Sequence, residues 1–156
     1  MDVIEKSRIE GEYFLQYIHR KQKEGITISD WKITPTQSPY DVIFTSGDTT
    51  YIAEIKVRTD YSMDYFIQKG AFLELKKIEG MTTKQKQINE EYKHLNKQVE
   101  KLYINFCKDG VITYRLDNPW DYQFDWEWLP KNNTNLEYKE WKLVTKLFQF
   151  REIIKY

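Results

Sequence analysis

The chain has 156 residues, with 24 basic and 24 acidic side chains and a formal net charge of zero. That length suits one domain with a real core, no apolar run reaches membrane-spanning length, and the charge balance counts against indiscriminate binding of nucleic acid. The single cysteine, Cys107, excludes an intrachain disulfide and fits a reducing, cytoplasmic setting, and residues 1–6 are charged too early for a secretory leader.

Residues 3–23 read as the first helix, which runs out at Gly25. Val3, Ile9, Tyr13, Phe14, Tyr17 and Ile18 recur at helical spacing. At about 100° per residue, Glu10 falls in the middle of this apolar stripe and Glu12 on the opposite side. An acid centred on an apolar face is costly unless it is paired or holds a cation. Glu10 is therefore a candidate functional residue, with Lys6 as the partner if its role is structural, and Glu12 is solvated surface. Residues 26–34 alternate well enough for a strand, ended by Pro35.

Residues 40–45 and 50–58 form a strand pair around Ser46-Gly47-Asp48-Thr49, a hairpin signal. With Gly47 and Asp48 as the loop, Phe44 faces Tyr51 and Asp41 faces Glu54; a four-residue loop keeps the same register. Opposed residues share a face with Cβ atoms about 5 Å apart. Lys56, two residues beyond Glu54, points the same way. Ile43 and Ile52 lie on this acid face, and Val42, Phe44, Tyr51, Ile55 and Val57 on the other. Strands apolar on both faces are covered by helices on both sides.

Residues 60–65 read as a connection and 66–78 as a helix closing the acid side of the sheet, with Gly80 as its C′ residue. Its polar members are Gln68, Lys69, Glu74, Lys76 and Lys77. Thr82 or Thr83 is placed to cap a long polar helix reaching about Val99. Residues 102–107 and 111–116 flank Lys108-Asp109-Gly110, a second hairpin. Residues 76–101 hold seven lysines and four glutamates, and residues 117–140 six acids and two lysines, so the middle is mildly basic and the part after it acidic. Residue by residue, the lysine-rich helix reads as a solvated face.

Trp120, Tyr122, Phe124, Trp126 and Trp128 alternate with Asp121, Gln123, Asp125 and Glu127. This is a strand with one aromatic and one acidic face. Packing on the core is the preferred reading. A stacking platform for unpaired bases is opposed by the acidic face, and a homodimer interface stands between the two. Trp141, Leu143, Val144, Leu147, Phe148 and Phe150 are expected to continue the same packing layer. His19 and His94 read as surface residues, Ser7, Ser38 and Ser62 have no base at a recognisable spacing, and there is no Gly-rich nucleotide loop.

Two opposed carboxylates repel unless positive charge stands between them. Lys56 supplies part of it. A divalent cation supplies more, since Mg²⁺ takes carboxylate oxygens, waters and phosphate oxygens. Such an ion polarises a phosphodiester and activates an in-line water, while Lys56 holds the water or stabilises charge on the phosphate.

Pro39-Tyr40-Asp41, a gap of twelve residues, then Glu54-Ile55-Lys56 resembles the motif of the PD-(D/E)XK, or restriction-endonuclease-like, nuclease superfamily. The match spans about residues 5–60, and its helix-strand-hairpin start is similar to Holliday-junction-resolvase-like members. Tyr40 separates Pro39 from Asp41, which many members have adjacent. The resemblance implies an α/β fold, a single domain whose restriction-endonuclease-like core covers about residues 3–116: helix, three-strand meander, helix and strand, in a mixed sheet flanked by helices. A β-rich aromatic extension would cover about 117–156. It implies a DNA nuclease dependent on Mg²⁺ or Mn²⁺, with Asp41, Glu54, Glu10 and the backbone carbonyl of Ile55 as metal ligands and Lys56 positioning the attacking water. Two alternatives belong to other classes: a catalytically silent binding module that kept the fold, and a phage-type accessory factor acting through the aromatic strand.

Overall fold

The computed structural model describes residues 3–35, 38–95, 98–132 and 135–156. Among them the chain forms an α/β fold: three α-helices, a six-stranded mixed sheet and a smaller three-stranded sheet. Helix α1 (Val3–Lys23) precedes a meander of β1 (Ile28–Ile33), β2 (Val42–Ser46) and β3 (Thr49–Arg58). The β2–β3 register is the one read from the sequence, with Val42 opposite Ala53, Phe44 opposite Tyr51 and Ser46 opposite Thr49. Gly47 makes the turn possible with φ 63°, a left-handed conformation that costs glycine little.

Strand β3 then pairs in parallel with β5 (Val99–Cys107), which requires a crossover. That crossover is α2 (Met63–Lys69), β4 (Ala71–Glu74) and α3 (Leu75–Tyr92). With β6 (Gly110–Arg115) and β9 (Glu152–Lys155) the large sheet runs β1-β2-β3-β5-β6-β9. Its two faces carry two cores, as strands apolar on both sides demand. Phe14, Tyr17 and Ile18 of α1 pack on Val42, Phe44, Tyr51 and Ile55, with Phe14 and Phe44 ring centroids 5.4 Å apart. On the other face Ile52, Tyr103 and Ile112 meet Met63, Phe66, Ile78 and Met81.

Three expectations are corrected. Residues 66–78 are not one helix: α2 ends at Lys69, and Gly70, at φ 81° with its N–H donating to Phe66 O at 2.8 Å, turns the chain into β4. A Cβ at Gly70 would also stand 2.9 Å from the Phe148 ring, so the turn is pinned by packing as well as by φ. Second, Gly80 is no helix end. It lies inside α3, and Thr82 and Thr83 follow within the same helix, their hydroxyls bonded back to Ile78 O and Glu79 O rather than capping. The helix stops at Tyr92, and Val99 is already strand.

The third correction concerns the aromatic segment. Strands β7 (Tyr122–Asn132) and β8 (Asn135–Leu147) form a long hairpin that joins β4 in the order β4-β8-β7. The period-two reading of a strand holds, but the packing reading fails. Tyr122, Val144 and Leu147 reach the core, while Phe124, Trp126, Trp128 and Trp141 are all more than half exposed, and Phe150 is exposed too. Alternation fixes which side chains share a face; it does not supply anything to cover that face. The Asp121 side chain in this alternation and that of Val3 in the first stripe lie outside the described residues. Among the described residues no helix is long and apolar enough to cross a membrane.

Candidate metal and catalytic site

Asp41 stands just ahead of the first paired residue of β2, and its N–H donates to Ala53 O at 2.9 Å. Val42 opposite Ala53 is the last pair of the ladder, so Asp41 sits one step outside it, sharing Ala53 as its partner, with its carboxyl close enough to Glu54 for the two acids to interact. The carboxylate of Asp41 accepts the N–H of Ile55 through Oδ2 at 2.8 Å, taking a β3 donor that lies beyond the last β2 pair. One short side chain thus fixes both its own position and the backbone of Ile55.

Glu54 is only 3% exposed. Its Oε1 lies 3.0 Å from Lys56 Nζ, and its Oε2 lies 3.1 Å from Nζ of Lys77, which arrives from α3 on the far side of the crossover. Oε2 makes no hydrogen bond, so the Lys77 contact is an ion pair alone. Helix α1 brings Glu10, buried at 9% exposed, whereas Glu12 is exposed and pairs with Arg8. The helical geometry that separated these two acids is therefore observed. Gly11 lets the helix settle closely, since a Cβ there would stand 3.0 Å from Ile33 Cδ1. Between α1 and the start of β2 a recess of about 10 Å³, room for roughly one water, is lined by Ser7, Glu10, Gly11, Asp41 and Ile55 among others.

The electrostatics follow from this crowding. Burial, then the neighbouring charges of Glu54 and Glu10, push the Asp41 carboxyl up to about 8. Glu10 is also raised, chiefly by burial, against the pull of Lys6 and Lys56. Glu54 behaves oppositely: burial resists its charge, but Lys56 and Lys77 outweigh burial and hold it low, helped by a hydrogen bond with the Asp41 carboxyl. At neutral pH Asp41 therefore keeps its proton and Glu54 its charge. Lys56 is raised, because Glu54 and Asp41 overcome its burial. Lys6 is lowered, first by Lys56 and then by burial.

The structure thus brings Asp41, Glu54 and Lys56 together, with Glu10 in electrostatic reach, and adds two lysines. In the sequence Lys77 is one of five polar residues on its segment, with nothing to single it out, and Lys6 stands out only as a partner for Glu10. Two strand neighbours are also legible only in three dimensions. Tyr103 lies beside Glu54 and Asn105 beside Lys56 across the parallel pairing, and the fully buried Asn105 carboxamide makes no hydrogen bond. His19 and His94 are exposed, as expected.

Among the described residues no three His, Cys, Asp or Glu side chains are grouped to hold one ion. The acids of the motif are a pair with a third nearby, not a ready three-carboxylate cage. A pair is nonetheless what a hard cation such as Mg²⁺ commonly takes, the rest of its shell being waters and phosphate oxygens. The donor chemistry fits: two buried carboxyls that cannot both ionise comfortably, and one carboxylate oxygen without a hydrogen bond. Compared with family models, curated proteins and solved structures, the chain matches none.

Proposed function

We propose that the protein is a metal-dependent nuclease of the PD-(D/E)XK type that hydrolyses DNA phosphodiester bonds. One observation carries the reading: the Asp41 carboxyl, held by the Ile55 N–H, stands at the Glu54 end of the β2–β3 ladder, with Lys56 3.0 Å from Glu54 and a buried Glu10 beside them. The element order supports it: α1, a three-strand meander, a helical crossover that here also carries β4, and a further strand, where the motif implies helix, meander, helix and strand.

On this reading Asp41 and Glu54 hold Mg²⁺ or Mn²⁺, with the Ile55 carbonyl as a further ligand and Glu10 on a second ion or its water. When bound, the ion polarises the scissile phosphate and makes its water a better nucleophile. Asp41 has to surrender its proton for that binding, and its N–H···O contact to Ile55 keeps the carboxylate in place as it does so. Lys56 stays an ammonium beside these acids, so it acts as a donor only. It orients the attacking water and offsets charge growing on the phosphate. Lys77 offsets Glu54 from the opposite side and holds it in register.

The test is cleavage of supercoiled, linear, single-stranded and branched DNA with and without Mn²⁺. Asp41→Ala and Lys56→Ala should each abolish cleavage with circular dichroism unchanged; full activity in either removes the mechanism. A specific observation favours a second reading, a silent binding module. Glu54 already has two lysines within 3.1 Å, so its charge is offset without any ion. Calorimetry separates the two, because the module would take up neither Mg²⁺ nor Mn²⁺.

A further inference from the structure

The β7–β8 hairpin displays a row of rings that the proposed chemistry does not use. Phe124, Trp126 and Trp128 of β7 share one face, and register puts Leu143 opposite Trp126 and Trp141 opposite Trp128. At one end of the row Tyr122 and Leu147 enter the core. Beyond them the rings open to solvent, at 57% for Phe124, 59% for Trp126, 51% for Trp128 and 63% for Trp141. Trp128 and Trp141 lie 5.5 Å apart at 59°, so both edges and faces are presented. We infer that this face is covered by the same face of a second copy of the chain, in a two-fold homodimer.

Area supports that occupant. An aromatic side chain brings ~150–250 Å² to an interface, so four half-open rings leave on the order of 400 Å² per copy, a size rarely left bare on a monomer. Two such faces, with Leu143, Pro130 and the strand backbones, reach the roughly 1,000 Å² that a specific contact needs. Charge supports it too. The charged residue that the register places in line with the rings is Lys139, opposite Pro130, and Glu137, two residues before it on β8, adds an opposite charge at that far end. Lys142 and Lys146 project from the reverse face, where they pair with Glu74, Asp125 and Glu127. Single-stranded nucleic acid stacked on four rings would bring about one phosphate per base, and among the described residues this face has one cation to meet them. A charge-poor aromatic ribbon is complementary to itself, and self-complementarity is what an isologous contact demands.

Sedimentation equilibrium from micromolar to hundreds of micromolar chain tests this. The expected mass rises from 19.0 kDa towards twice that value. The double substitution Trp126→Ser and Trp128→Ser should raise the dissociation constant at least about a hundredfold, tenfold for each central ring. Ile4→Ser, at an exposed position on α1, should leave it unchanged. Circular dichroism checks folding, and Trp141→Ser alone reports the same face should the double variant misfold. A wild type that stays monomeric throughout overturns the inference, as does a double variant that still dimerises. Tryptophan quenching by an oligothymidine, lost in that variant, overturns it in favour of nucleic acid. None of these readouts depends on cleavage.

Discussion

Asp41→Asn isolates the crowding of the acid pair. The substituted side chain keeps an oxygen for the Ile55 N–H but carries no titratable proton. In the wild type the Asp41 carboxyl holds its proton to about 8 when folded and to 3.8 in the reference chain. Between those values the folded state binds a proton that the unfolded state has lost, so wild-type stability falls as pH rises and levels off above about 8. The gap is about four pH units, which at ~1.4 kcal/mol each gives a ceiling of ~5–6 kcal/mol. Asp41 borders the recess, and water and relaxation there reduce this to about 2–3 kcal/mol. The variant should match the wild type near pH ~4 and exceed it by that amount at pH ~8, without metal. Urea melts followed by tryptophan fluorescence across this range measure the difference. Curves that run parallel, within ~0.5 kcal/mol at every pH, would show that the two carboxyls do not repel and that no cation is called for. In the wild type alone, Mg²⁺ should raise stability more at the alkaline end, where Asp41 no longer has to give up its proton.

Glu10→Gln should weaken Mn²⁺ binding about tenfold by calorimetry, whereas Glu12→Gln should leave it unchanged; equal effects would remove Glu10 from the site. Gly80→Ala should stabilise the chain by about 0.5–1 kcal/mol in thermal melts, because the residue lies inside α3. Among the described residues outside its own helix the added Cβ would meet Pro39 Cβ, at an ordinary 3.5 Å, and a loss of stability instead would mark residue 80 as a turn.

Much of the site was legible because it is local. A two-residue turn fixes the register from Val42 opposite Ala53 to Ser46 opposite Thr49, and about twenty residues of sequence suffice to bring Asp41 to the Glu54 end of that ladder, although it stops one residue short of pairing the two. The choice of Glu10 over Glu12 rests equally on one helix. What escaped depends on distant chain. Residues 71–74 look helical in isolation, yet β8 recruits them as a strand, pairing Ala71 with Leu147. Lys77 is one lysine among several until α3 is seen to cross the sheet beside Glu54. The aromatic alternation marks a strand but not its burial, because a periodic pattern is the same whether or not a partner layer exists.

The β4–β8 ladder also bears on the order of assembly. The Asp41–Glu54 hairpin closes over a handful of residues, whereas β4 waits for a strand some seventy positions further on. As the chain leaves the ribosome, the acid pair is set early and the segment carrying Lys77 is clamped only once β8 has emerged. Contacts so far apart in sequence are slow to form. Until that late closure, Lys77 is held beside Glu54 only by the packing of α3 on the large sheet, and a translation product halted before residue 135 would keep both acids but lose the strand that ties down the crossover.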